Sequence, residues 1–175
     1  MNAMPATRPA RPPVPPLPEF EKLDHTHREA LKMLQALGRL LEQLRQDDPD
    51  EAARASALEI MGFFNGPARG HHAEEETRVF PELLAAGDAE LTQQVLRLQQ
   101  DHGWLDQDWR ELAPQIEAIA SGYTWYDLDM LLAALPVFNT LYEEHIALEE
   151  TLVYPEARRR RAAARAAEVH RAGSD

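Results

Sequence analysis

The strongest constraint on this chain is that it repeats itself. The segment HHAEEETRVFPE at 71–82 aligns without a gap on HIALEETLVYPE at 145–156, identical at eight of twelve positions and offset by 74 residues. His71 pairs with His145, Glu75 with Glu149 and Pro81 with Pro155. A nearly equal offset of 75 carries Leu23 onto Leu98 and His27 onto His102. The chain therefore reads as two pseudo-equivalent halves, each supplying a lone histidine and then a His-x-x-x-Glu. Residues i and i+4 share one helix face a turn apart. On a helix, the imidazole and the carboxylate of each copy can point at metal ions from one side, and the glutamate is free to bridge two of them.

The periodicity around these motifs is helical throughout, with no convincing strand pattern. Four segments emerge: about Phe20 to Gln46, closed by the turn signal DDPD; Asp50 to Ala86, ended by Gly87; Asp88 to Ala120, ended by Ser121-Gly122; and Trp125 to Arg160. Pro67, Pro114 and Pro136 fall inside the second, third and fourth, where each is expected to kink or interrupt the helix. Long amphipathic helices joined by short connections predict an all-α, up-down-up-down four-helix bundle. Leu23, His27, Leu31 and Leu34 form one inward stripe, and Leu91, Val95, Leu98, His102, Leu105 and Trp109 another. A single histidine interrupts each stripe.

Imidazole and carboxylate donors suit iron, manganese or zinc, and two such helices facing each other frame a two-metal centre. The expected ligands are His27, His71, Glu75, His102, His145 and Glu149. Shared by two ions, they leave positions open for water, oxygen or another small molecule. His25 competes with His27, but its face continues through Glu29 and Lys32, so His27 is preferred. His72 adjoins His71 yet aligns with Ile146, which suits packing behind the ligands. Glu76 and Glu150 are expected behind the ligands or at the surface, and Asp106, four residues after His102, is a possible further carboxylate. Trp104, Trp109, Phe63, Phe64, Phe138 and Tyr142 are expected to wall the site.

Charge and composition narrow the rest. Residues 1–18 hold seven of the thirteen prolines and cannot build a helix or core, so they read as a disordered arm. Residues 158–175 read as an Arg/Ala-rich, frayed helical tail, leaving 19–157 as the bundle. From 19 to 156 there are ten Lys/Arg against 28 Asp/Glu, an acidic body that argues against nucleic acid binding through the domain. The chain has no cysteine, which excludes thiolate sites and suits a reducing cytoplasm. It has no apolar run long enough for a membrane span. No Ser-His-Asp arrangement or phosphate-cradling glycine loop appears, so any catalysis belongs to the metals.

The order of the motifs (a histidine early in the first helix, H-x-x-x-E-E in the second, a histidine in the third, H-x-x-x-E-E in the fourth) resembles the hemerythrin-like, HHE cation-binding family over about residues 20–157. The resemblance implies two non-haem irons with carboxylate and oxo or hydroxo bridges, for which Mn or Zn are possible substitutes. It also implies binding or sensing of O2, NO or peroxide. The alternatives it carries are a stress-protection activity by peroxide or NO turnover or iron donation for repair, and a structural metal-binding bundle acting through a partner. Oxygen carriers of that family resemble a five-histidine site with two histidines on the third helix. The four-histidine, two-glutamate set here is closer to the bacterial stress-response branch, although the cysteine-bearing N-terminal region of its repair proteins has no counterpart in this chain.

Overall fold

The computed structural model describes residues 17–172; the proline-rich segment up to 16 and the last three residues lie outside them. Helix α1 runs Pro18–Leu44, α2 Glu51–Asn65, α3 Pro67–Glu74, α4 Phe80–Leu84, α5 Ala89–Ala120, α6 Leu128–Leu148 and α7 Tyr154–Ala172. A wide π turn, Glu75–Val79, joins α3 to α4, and a second, Glu149–Val153, joins α6 to α7. Among the described residues there is no strand. The four rods are α1, α2 to α4, α5, and α6 to α7. Around the ring α1 packs on α2, α2 on α5, α5 on α6 and α6 back on α1, the antiparallel bundle that the sequence predicts.

Local chemistry sets the boundaries. Pro18 opens α1, where the missing N–H costs nothing. The carboxylates of Asp50, Asp88 and Asp127 accept from the backbone N–H three residues on and cap α2, α5 and α6. Gly122 closes α5 at φ 75°, and the Tyr123 N–H reaches back to the Ala118 carbonyl at 2.8 Å. Pro67 does interrupt its rod, with Gly66 between α2 and α3. Pro114 and Pro136 lie within unbroken helices, each removing a single rung of the ladder.

The two π turns share a sequence context, a proline two residues past the end of each. A proline ring excludes the carbonyl four residues before it from the α ladder. Pro81 and Pro155 do this to residues 77 and 151, and the backbone widens ahead of them: the Phe80 N–H bonds the Glu75 carbonyl and the Tyr154 N–H bonds the Glu149 carbonyl. The hydroxyls of Thr77 and Thr151 donate to the Ala73 and Ala147 carbonyls at 2.7 and 2.6 Å, giving acceptors in the turn just before each widened stretch a partner.

The apolar core comes in two parts. One is built around Leu34, Leu37, Ile60, Leu112, Ile116 and Phe138, the other around Phe20, Leu23, Phe80, Leu98, Val153 and Tyr154. Along α1 the stripe passes from Leu23 through His27 to Ala30, and along α5 from Leu98 through His102 to Leu105, so a polar layer separates the two. Two edges differ from expectation. Leu17 is buried in the second cluster and Pro18 is helical, so the bundle begins ahead of residue 19. The arginines after 157 are partly docked: Arg158 forks onto Asp24 at 2.5 and 2.6 Å, and Arg161 holds Glu82, Glu19 and the Arg78 carbonyl. Among the described residues no helix is long and apolar enough to cross a membrane.

Leu37 is fully buried in the first cluster, away from the polar layer. Leu37→Ala should cost about 2–5 kcal/mol of unfolding free energy in urea while leaving the metal content of the folded protein unchanged.

Candidate metal centre

The six residues singled out from the sequence converge in the polar layer. His27, His71, Glu75, His102, His145 and Glu149 are each at most 5% exposed. Burying that many titratable groups in a bundle of this size is costly unless each finds a partner. The partners are arranged around the two glutamates. Glu75 turns Oε1 toward His71 Nε2 at 3.3 Å and Oε2 toward His102 Nε2 at 3.4 Å. Glu149 turns Oε2 toward His27 Nε2 at 3.1 Å and Oε1 toward His145 Nε2 at 3.3 Å. Each carboxylate thus offers one oxygen to the His27/His71 side and the other to the His102/His145 side.

Those spacings fit cation coordination. Donors about 2.1 Å from one ion and at right angles to each other sit about 3 Å apart. The donor atoms fall into two groups that could each hold an ion: His27, His71, Glu75 and Glu149, and His72, Glu75, His102 and His145. Among the described residues, Nε2 of His71, His102 and His145, Oε2 of Glu75 and both carboxylate oxygens of Glu149 are buried without a hydrogen-bond partner. Orphaned buried donors and acceptors in such number call for an explanation, and a bound cation supplies one. The cluster fits a metal site.

A second ring of contacts holds the imidazoles from behind. The Nδ1 of His102 meets Glu76 at 2.8 Å, and the Nδ1 of His27 meets Glu150 at 3.1 Å. These two contacts are equivalents under the repeat, each made by the carboxylate just after Glu75 or Glu149. His145 Nδ1 lies 3.9 Å from Asp101, an ionic contact rather than a hydrogen bond. Partners of this kind fix the tautomer and raise the basicity of the other nitrogen.

Electrostatics separates otherwise similar groups. Burial, then the charge of neighbouring Glu149, pushes the Glu75 carboxyl well above its usual range. Burial also acts on Glu149, but the charge of the close imidazoles, His145 first and then His27, outweighs it and holds that carboxyl well below. Burial, with the neighbouring imidazoles, lowers His71 to about 3 and lowers His102 and His72 as well. For His145 burial is overcome by Glu149 and Asp101, which raise it to about 9.

Several expectations change in detail. His25 is exposed while His27 is buried, so the helix face chosen from the sequence is the inward one. His72 stands nearer the site than its packing role required: its ring stacks on His102 at 4.0 Å, and it belongs to the second donor group. Asp106 pairs with Arg110 at 2.5 Å and Arg69 at 3.3 Å, away from the donor atoms. Trp104 is 57% exposed and walls nothing, because two residues after His102 puts it on the far side of α5. Phe64, Trp109, Phe138 and Tyr142 do form a packed aromatic wall. Beside it lies a cavity of about 340 Å³ lined by His72, Glu76, His102, Trp109 and Tyr142 among others.

Tyr154 is the residue that sequence reasoning missed. It is buried, stacks parallel on His27 at 5.2 Å, donates its hydroxyl to Glu75 Oε1 and sits 3.3 Å from His27 Nε2. It follows Glu149 by five residues, and in an ordinary α-helix such a residue points well away from the first. The π turn brings it back. The repeated proline six residues after each glutamate was the available signal.

Comparison with known proteins agrees with this arrangement. A family model described as the hemerythrin HHE cation binding domain matches residues 19–157. An uncharacterized protein of Haemophilus influenzae is 30% identical over 132 residues, covering 75% of this chain and 74% of its own. No solved structure matches the chain.

A cation that neutralises this layer must stabilise the fold. Stripping metal with a chelator should lower the unfolding midpoint, and re-adding a divalent ion at about a hundredfold its Kd should restore about 2.7 kcal/mol. Identical unfolding curves with and without metal would show that the cluster holds none.

Proposed function

This chain belongs to the hemerythrin HHE cation-binding domain family, and from that premise we propose that it holds two non-haem irons side by side and uses them to bind or sense O2, NO or peroxide. The observation that carries the reading is the orientation of Glu75 and Glu149, each with one oxygen on either side of the layer. A carboxylate that only balanced one cation would have no need to divide its oxygens between two histidine sets.

His27 and His71 would hold the first ion, His102 and His145 the second, and the two glutamates both. An iron pair supplies reversible electron exchange with small oxidants. The chain's own residues do the rest. Glu150, Glu76 and Asp101 fix the imidazoles. The two apolar clusters shut bulk water out from above and below the layer. The cavity reaches the second side past His72 and His102. At about 340 Å³ it is far larger than the roughly 30 Å³ share of one water molecule, so it has room for a diatomic gas or a peroxide beside His102. Manganese or zinc could enter the same donors, and cellular supply would decide between them. The lack of cysteine suits a reducing compartment, and we place the protein in the cytoplasm.

Metal analysis with an absorption spectrum of aerobically purified protein tests this directly. About two irons per chain and near-ultraviolet bands of a bridged ferric pair are expected; stoichiometric zinc, or no iron after ferrous reconstitution, would overturn the reading. Glu149→Ala removes a donor from both sides and should leave one iron per chain or fewer, whereas His71→Ala should deplete the first side. Consumption of peroxide or NO under excess reductant would make the protein an enzyme rather than a sensor.

A further inference from the structure

The halves of the repeat differ at the aromatic position before the proline, Phe80 in one and Tyr154 in the other. Both rings take the same place. Phe80 stacks on His102 at 5.6 Å with 18° between planes, and Tyr154 stacks on His27 at 5.2 Å with 6°. Both are fully buried. The one chemical difference is a hydroxyl group, and it is delivered to the His27/His71 side alone.

Where that hydroxyl points decides its role. The carboxylates that stand behind the ligands, Glu150 and Glu76, meet the Nδ1 atoms of His27 and His102, the nitrogens turned outward. Tyr154 instead meets Nε2 of His27, the nitrogen turned toward Glu149 Oε2 at 3.1 Å, and also Oε1 of Glu75, the oxygen turned toward His71. Its oxygen therefore sits inside the ring of donor atoms, among those of the first group. The second aromatic hydroxyl nearby, Tyr142, meets only His72 Nε2 at 3.3 Å.

We propose that Tyr154 is itself a metal ligand, its phenol oxygen binding the ion held by His27 and His71 and making the two metal positions chemically unequal. The inference rests on the two-iron reading and deepens it. As the oxygen–metal bond forms, the hydroxyl proton is released to solvent, and no electron moves. The first position then has two imidazoles, two carboxylate oxygens and a hard, anionic phenolate, a set that favours the ferric ion. The second keeps imidazoles and carboxylates, lacks the phenolate, and faces the cavity at His72 and His102. Small-molecule binding is thereby directed to the second position.

The test is the visible spectrum of the full chain loaded with two ferrous ions and oxidised by ferricyanide, one electron per iron. Phenolate bound to ferric iron absorbs in the visible, where carboxylate and oxo donors alone contribute weakly. The expected result is such a band, with tyrosine ring modes enhanced in its resonance Raman spectrum. Tyr154→Phe should abolish it while two irons remain bound, and Tyr142→Phe should leave it intact. A wild-type protein with two irons and no phenolate band overturns the proposal and leaves the two-iron reading standing, as does a band that survives Tyr154→Phe. Failure to bind iron at all removes both. Should Tyr154→Phe lose its metal, the wild-type Raman spectrum of protein carrying ring-deuterated tyrosine decides alone, since ring modes that do not shift exclude the phenolate.

Discussion

Everything in this bundle is organised around two buried carboxylates placed close together. Glu75 and Glu149 are wholly shielded from solvent, and Glu149 helps push the Glu75 carboxyl well above its usual range. Isolated, such a pair would cost several kcal/mol per charge to bury. Four imidazoles set opposite the four oxygens, in a cluster that fits a metal site, turn that liability into the most specific feature of the fold. The layer also explains why the core is divided. Apolar side chains fill the bundle above and below, and no apolar residue can occupy the level that the ligands need.

The layer depends in turn on a small distortion of the backbone. A straight α-helix carries His and Glu at i and i+4 on one face but sends the residue at i+5 elsewhere. A wide turn begins at each glutamate, ahead of Pro81 and Pro155, and that turn swings Phe80 and Tyr154 over the histidines. From within the widened stretch, Thr77 and Thr151 donate to carbonyls of the turn just before it, so the distortion has compensation built in. Wide turns of this kind are frequent at functional sites, and here the reason is concrete: they add an aromatic lid to each side.

Pseudo-symmetry is then the background against which differences acquire meaning. His72 faces Ile146, Tyr154 faces Phe80, and Asp101 faces Thr26 across the repeat. Each difference falls beside a donor atom: His72 stacked on His102, Tyr154 against His27, Asp101 toward His145. The duplicated frame positions two equivalent cradles, and a few substitutions within it make them unlike.

How much of this is readable without coordinates depends on the range of the interaction. The four helices and the inward placing of His27 and His102 follow from spacing alone, because a helix face is a local property with a fixed period. The six candidate ligands follow for the same reason, reinforced by the repeat. What the chain could not disclose is which atom faces which across the bundle: that each glutamate divides its oxygens between the two sides, that Glu150 reaches His27 over 123 residues and Glu76 reaches His102 over 26, that Asp106 turns out to its arginines. Tyr154 needed both kinds of knowledge, since the period of an ordinary helix points it away and only the folded π turn returns it. Sequence determined the faces of the helices because each face is set by its own few residues. Tertiary structure decided the centre because a coordination site is defined by atoms that four separate helices bring to one point.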